Sequence, residues 1–201
     1  GINAEYGEMQ IQSSKELCFI AFNTLERHLN NQKPLQTLID QIPDISVPLF
    51  VTYHINNDEL RGCVGNLQGL NLKKGLPQYS LIAALQDNRF EPVDAKELSK
   101  LNIAVSLLVN YKKVDSALDW EVGKHGIMID YMGRSATFLP EVASEQGWDQ
   151  RTTLQHLVRK AGIHQTLTDA MIKEIKCTTY ESSKEMITFE QYEQMKKEKK
   201  M

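Results

Sequence analysis

Leu49-Phe50-Val51-Thr52-Tyr53-His54-Ile55-Asn56-Asn57-Asp58-Glu59-Leu60-Arg61-Gly62-Cys63-Val64-Gly65 is the stretch whose reading decides the fold. Two runs flank Asn56-Asn57-Asp58, and Asn and Asp suit turn positions with positive φ. The pattern predicts an antiparallel hairpin. With Asn57 and Asp58 as a two-residue turn, Ile55 faces Leu60, Tyr53 faces Gly62 and Val51 faces Val64. That face is apolar. The other pairs His54 with Arg61 and Thr52 with Cys63. A slip of one residue would mix the two sets, so the clean segregation supports this register.

The second strand also carries the chemistry. Alternation sets Arg61 and Cys63 on one side, and a guanidinium near a thiol favours the thiolate. His54, diagonally across, is within reach as a base. Gly62 and Gly65 leave backbone bare where another molecule can approach. Each feature has a plainer reading. Free Cys is often a small packed side chain. Arg61 suits a phosphate or carboxylate, and equally a buried pair with Glu141 or Asp87. Gly62-Cys63-Val64-Gly65 has the bare form of a GXXG loop but lies in a strand with no flanking basic residues.

Elements follow on both sides. Ser13-Ser14-Lys15-Glu16 reads as a capping box opening an amphipathic helix with Leu17, Ile20, Ala21, Leu25 and Leu29, Cys18 packed within it. Residues 31–48, with Pro34, Pro43 and Pro48, read as an irregular connector. Gly75-Leu76-Pro77 starts a helix to about Asp87, Pro standing early in it. Asp94-Ala95-Lys96-Glu97 is a second capping box, and 101–109 alternates as a strand. A second hairpin is expected from 127–131 and 135–139 across Gly133-Arg134. Asp149 caps a helix with Leu154, Leu157, Val158 and Ala161 on one stripe, stopped by Gly162. A short helix after Thr168 and a strand over 175–180 complete the pattern. Hairpin–helix–strand thus occurs near 49–109 and again near 125–181. The expected fold class is α+β: two similar units, mostly antiparallel sheet, flanking helices. A single domain over 13–193 with a flexible Lys-rich tail over 194–201 accounts for the length.

Bulk properties bound the partners. A net charge of −3 gives no global attraction to nucleic acid. No apolar run approaches the ~20 residues of a membrane span, and no leader pattern is read at the start. The three cysteines are odd in number and widely spaced, which argues for a reducing compartment, the cytoplasm or nucleus, and against a disulfide framework. No metal-ligand spacing, Walker loop or Rossmann loop is present, so no cofactor is expected. His125, where a strand begins, reads as an acid or base, or more simply as a backbone hydrogen-bonder. Glu141 sits after Pro140 in a helix's first turn, where the dipole alone explains it. Trp120 and Trp148 read as packing anchors.

Leu60-Arg61-Gly62-Cys63-Val64-Gly65 resembles the hallmark of the AMMECR domain family. Asp87-Asn88-Arg89-Phe90-Glu91-Pro92-Val93, Trp120-Glu121-Val122-Gly123-Lys124-His125-Gly126-Ile127, Phe138-Leu139-Pro140-Glu141-Val142-Ala143 with Gln146-Gly147-Trp148, and Arg159-Lys160-Ala161-Gly162 resemble its further blocks, in order. The Trp-Glu-Val-Gly form is closer to the family's eukaryotic branch. The resemblance implies a duplicated α+β unit and no settled activity. It also implies association with Memo-type and radical S-adenosylmethionine proteins in a modification pathway. The expected site is the surface between the lobes, with Cys63, Arg61 and His125 catalytic and Gly62, Gly65, Arg89 and Glu141 binding. Two functions are expected to compete there: a Cys-dependent enzyme or accessory factor acting on a small molecule, a nucleotide or a modified protein, and a non-catalytic intracellular adaptor.

Overall fold

The computed structural model describes residues 11–201; the expected lack of a leader concerns residues outside that range. Seven α-helices and six strands form among the described residues. The strands make one six-stranded sheet in the order β2-β1-β3-β6-β4-β5, where β1 is Ser46–Ile55, β2 Glu59–Asn71, β3 Leu101–Val114, β4 Gly126–Tyr131, β5 Arg134–Phe138 and β6 Lys176–Thr188. The α+β class with a largely antiparallel sheet is as expected. The chain divides into two compact units, Ile11–Leu108 with Ser183–Met201, and Val109–Ser182. Hairpin, helix and strand follow one another in both expected stretches. The first has one α-helix and the second has three, so the two agree in element order without establishing a duplication.

In the first unit α1 spans Lys15–Leu29. Its cap is Ser14, whose side chain accepts from Leu17 N at 3.1 Å. The expected capping box at Ser13 does not form, because the Ser13 hydroxyl donates instead to Val105 O at 2.7 Å. Residues 17–25 are buried without interruption, so the middle of this helix is enclosed all round where an amphipathic stripe was expected, and only its ends reach solvent. The connector over 31–48 holds a short helix, α2 (Gln36–Ile39), and the first three residues of β1. The next helix, α3, spans Leu72–Leu85 and is capped by Asn71, three residues earlier than the sequence suggested. Pro77 therefore lies inside it, where the missing N–H leaves one helical bond unmade. The Asp94–Glu97 capping box is present and opens a 3-10 helix, Ala95–Lys100. The final helix, α7 (Phe189–Glu198), stacks Tyr192 on Phe22 of α1 at 4.6 Å. The stretch expected as a tail from 194 therefore carries the end of a helix. In it Lys196 bonds Glu26 and Lys199 bonds Glu16.

The second unit closes its core on α5 (Gln150–Lys160), with α4 (Pro140–Gln146) and α6 (Asp169–Glu174) beside it. Asp149 caps α5, and Leu154, Leu157 and Val158 are fully buried against Ile127, Ile129 and Trp120, as the stripe predicted. The β4–β5 turn is Met132-Gly133, both at positive φ, one residue before the expected position.

Candidate functional site

The hairpin is antiparallel, and Thr52 faces Cys63 as predicted. The register holds for Tyr53 with Gly62 and Val51 with Val64. It fails nearer the turn. The loop is three residues long, with Asn56 and Asn57 both at positive φ, so Ile55 faces Glu59 and His54 faces Leu60. Arg61 is then the extra residue of a bulge with no partner on β1. Such a bulge re-aims the extra side chain. Leu60, expected on the apolar face, is exposed for the same reason.

Re-aimed, Arg61 closes its fork on Glu97, Nε to Oε1 at 3.0 Å and Nη2 to Oε2 at 3.1 Å. Neither of the partners expected from sequence, Asp87 or Glu141, takes this place. Burial disfavours ionised Glu97, but the bonds from Arg61 and from Asp94 N–H outweigh it and hold the carboxyl below its usual range. The 3-10 helix that positions Glu97 is fixed by its own capping box. The cation expected to activate Cys63 is thus engaged elsewhere.

Cys63 is held by other groups. Its N–H donates to Asp87 Oδ2 at 3.0 Å, and its carbonyl accepts from Arg89 Nη2 at 3.3 Å. Both backbone groups point away from β1. Thr52–Cys63 is therefore the narrow, non-hydrogen-bonded kind of pair, in which side chains come closest. The Thr52 hydroxyl accordingly donates to Cys63 Sγ at 3.1 Å. Asp87 is buried and accepts Arg89 through Nε at 3.0 Å and Nη2 at 2.7 Å. That pairing, aided by the N–H groups of Cys63 and Arg89 and opposed by burial, holds its carboxyl well below the ordinary carboxylate range. So Asp87 and Arg89 cap the outer edge of β2 and fix the backbone that carries the thiol.

The glycines have a packing role. A Cβ on Gly62 would collide with the Ala83 carbonyl of α3, and one on Gly65 with the Phe50 ring. The space that the sequence left open to a visitor is taken by the chain itself. Cys63 is half-buried, whereas Cys18 and Cys177 are buried and their thiols are pushed up to about 12 by burial. His54 stands opposite Leu60, and burial, with the Lys184 charge, lowers its pKa against the pull of Asp58.

In the second unit, His125 Nδ1 accepts from Glu121 N at 2.9 Å, the backbone role. Glu141 is exposed in the first turn of α4, and its charge is one of the lesser factors opposing ionisation of the buried Tyr180. Trp120 is a buried anchor donating to Ala117 O. Trp148 stacks on His156, eight residues further on, at 3.9 Å, a pairing that sequence reasoning did not signal. Sequence reasoning also missed Glu97 and the roles of Thr52 and Asp87. The capping box marked Glu97 only as a helix residue, and nothing local to it announces Arg61. No helix among the described residues is long and apolar enough to cross a membrane.

Comparison with known proteins identifies relatives over most of the chain. An uncharacterized protein of Arabidopsis thaliana is 38% identical over 192 residues, covering 90% of this chain and 88% of that one. One from Schizosaccharomyces pombe is 35% identical over 185 residues, covering 89% and 94%. The crystal structure of an uncharacterized protein from Pyrococcus horikoshii matches with a TM-score of 0.65 at 24% identity, over 87% of this chain and 93% of that one, which bears on the fold alone. The AMMECR1 family model matches residues 18–185, and the chain belongs to that family.

Proposed function

We propose that this chain works through the Cys63 thiol, as a thiol-dependent enzyme or accessory factor for a small molecule or a protein under modification. One observation carries the reading: of the three cysteines, Cys63 alone is not buried. Support comes from the way Thr52, Asp87 and Arg89 fix that residue from three sides. A thiol meant only to fill space needs no such frame. Arg61, Gly62 and Gly65 then belong to the scaffold that presents it. The setting would be a compartment where thiols stay reduced, the cytoplasm or nucleus. A shared pathway with Memo-type and radical S-adenosylmethionine proteins, implied by the family resemblance, fits a role of this kind.

The test is a labelling time course with iodoacetamide near neutral pH, with each site assigned by mass spectrometry. Cys63 is expected to be alkylated in the native protein while Cys18 and Cys177 are spared, and all three are expected to react in urea. Cys63 spared in the native protein but labelled in urea would end the thiol reading. It would leave the chain as a protein-binding module without chemistry.

A further inference from the structure

We propose that Arg89 forms an anion-binding subsite beside Cys63, so that what this site takes carries a carboxylate or a phosphate. The inference rests on the thiol reading of Cys63 and names the class of ligand. Its basis is an asymmetry between two paired charges. The Arg89 side chain is 56% exposed, while that of its partner Asp87 is 6% exposed. The carboxylate is spent inward, on the Arg89 fork and on the N–H groups of Cys63 and Arg89. The cation stands at the surface.

It also stands still. Nε and Nη2 are held by Asp87, Nη2 is shared with the Cys63 carbonyl at 3.3 Å, and the guanidinium lies 5.3 Å from the centre of the Phe90 ring. A flexible surface Arg loses side-chain entropy when it grips a ligand, and this one has already lost it. A guanidinium held along one edge keeps its remaining donors for a second planar or tetrahedral anion. Arg61 does not compete for the role, since its fork is closed on Glu97 and its side chain is only 12% exposed. The bond to the Cys63 carbonyl ties the cation to the residue that carries the thiol, so an anionic group on Arg89 would place the rest of its molecule near sulfur.

Two alkylating reagents of the same reactive group read this out. In both, the Cys63 thiolate attacks the CH2 carbon, a C–S bond forms, the C–I bond breaks, iodide leaves and the thiol proton passes to buffer. Iodoacetate carries a carboxylate and iodoacetamide does not. The ratio of their rates at native Cys63 is expected to exceed the ratio in the urea-unfolded chain by about threefold, the size of one partly solvated cation's effect. The double variant Asp87→Asn with Arg89→Gln, which leaves no buried charge unpaired, is expected to return the ratio to the unfolded value. Inorganic phosphate or acetate, set against chloride at matched ionic strength, should slow iodoacetamide labelling, and the stronger protector names the anion. Rapid iodoacetamide labelling with a rate ratio equal to that of the unfolded chain overturns the subsite and leaves the thiol reading standing. No labelling by either reagent in the native protein overturns both.

Discussion

Substituting Gly62 by Ala separates packing from ligand approach at the centre of the hairpin. If the bare backbone of Gly62 served a ligand, Gly62→Ala would fold normally and fail in function. The structure forecasts the reverse. A Cβ there would sit 3.1 Å from the Ala83 carbonyl carbon, and its oxygen lies closer still. Backbone cannot rotate aside as a side chain can, so α3 would have to retreat from β2 by about an ångström. That retreat would strain two anchors: the Tyr53 hydroxyl donating to Ser80 O at 2.8 Å, and Val93 N donating to Ala84 O at 2.9 Å. Overpacking costs about 1–3 kcal/mol, and with backbone as the obstacle the upper end applies. A Gly-to-Ala change returns about 0.4–1 kcal/mol by restricting the unfolded chain. A net loss of about 2 kcal/mol lowers Tm by roughly 4–8 °C in a protein of this size. Thermal melts by far-UV circular dichroism measure it. Gly147→Asn is the control, since Gly147 has φ +71 with nothing within 4 Å of a Cβ, and Asn tolerates that conformation. A Gly62→Ala protein melting within a degree of the parent would refute the packing account.

Three further outcomes follow from the same structure. Leu157→Ala, at a fully buried position of α5, should cost about 2–5 kcal/mol in urea denaturation; a change below about 1 kcal/mol would mean that the stripe is not core. Arg61→Gln should cost about 1–3 kcal/mol, between the values for exposed and for buried pairs, because the Arg61 and Glu97 side chains are 12% and 25% exposed; removing Glu97 from the background should abolish most of that cost in a double-mutant cycle. The Asp87 carboxyl ionises far more readily folded than unfolded, so the stability it lends is complete above the unfolded value of about 3.9 and is lost as pH falls toward the depressed folded value. Asp87→Asn should therefore be less stable at neutral pH yet lose less stability than the parent on acidification below about pH 4, with equal slopes counting against the assignment.

How far the sequence could be read depended on whether the deciding interaction was local. The α5 stripe, its Asp149 cap and its Gly162 stop are all written within one stretch, and all were legible. The central hairpin register was legible because only one alignment separates apolar from polar residues. What failed there was a single residue of turn length. Three loop residues in place of two moved Arg61 out of the ladder, and with that moved its partner. The start of α3 was missed because Pro77 is an N-terminal signal when read alone, whereas Asn71, six residues before it, holds the cap. The Lys-rich end looked solvated because the acids that anchor it, Glu16 and Glu26, lie over a hundred and sixty residues away in sequence. Long-range pairs of charge carry no local signature.

The same distinction bears on what loss of function at the Leu60–Gly65 block would mean. Arg61 is spent on Glu97, Gly62 on the approach of α3, and Gly65 on the Phe50 ring. Damage at any of these three lowers stability first, and whatever activity is measured falls with the amount of folded protein. A block read as a reactive centre thus owes most of its residues to packing one edge of a sheet. Cys63 differs in kind. The residue is half-buried, its backbone is held by Asp87 and Arg89, and removing the sulfur leaves those two contacts in place. The thiol can be removed without breaking the Asp87–Arg89 pair, whereas the guanidinium beside it both faces solvent and holds the buried Asp87 carboxylate.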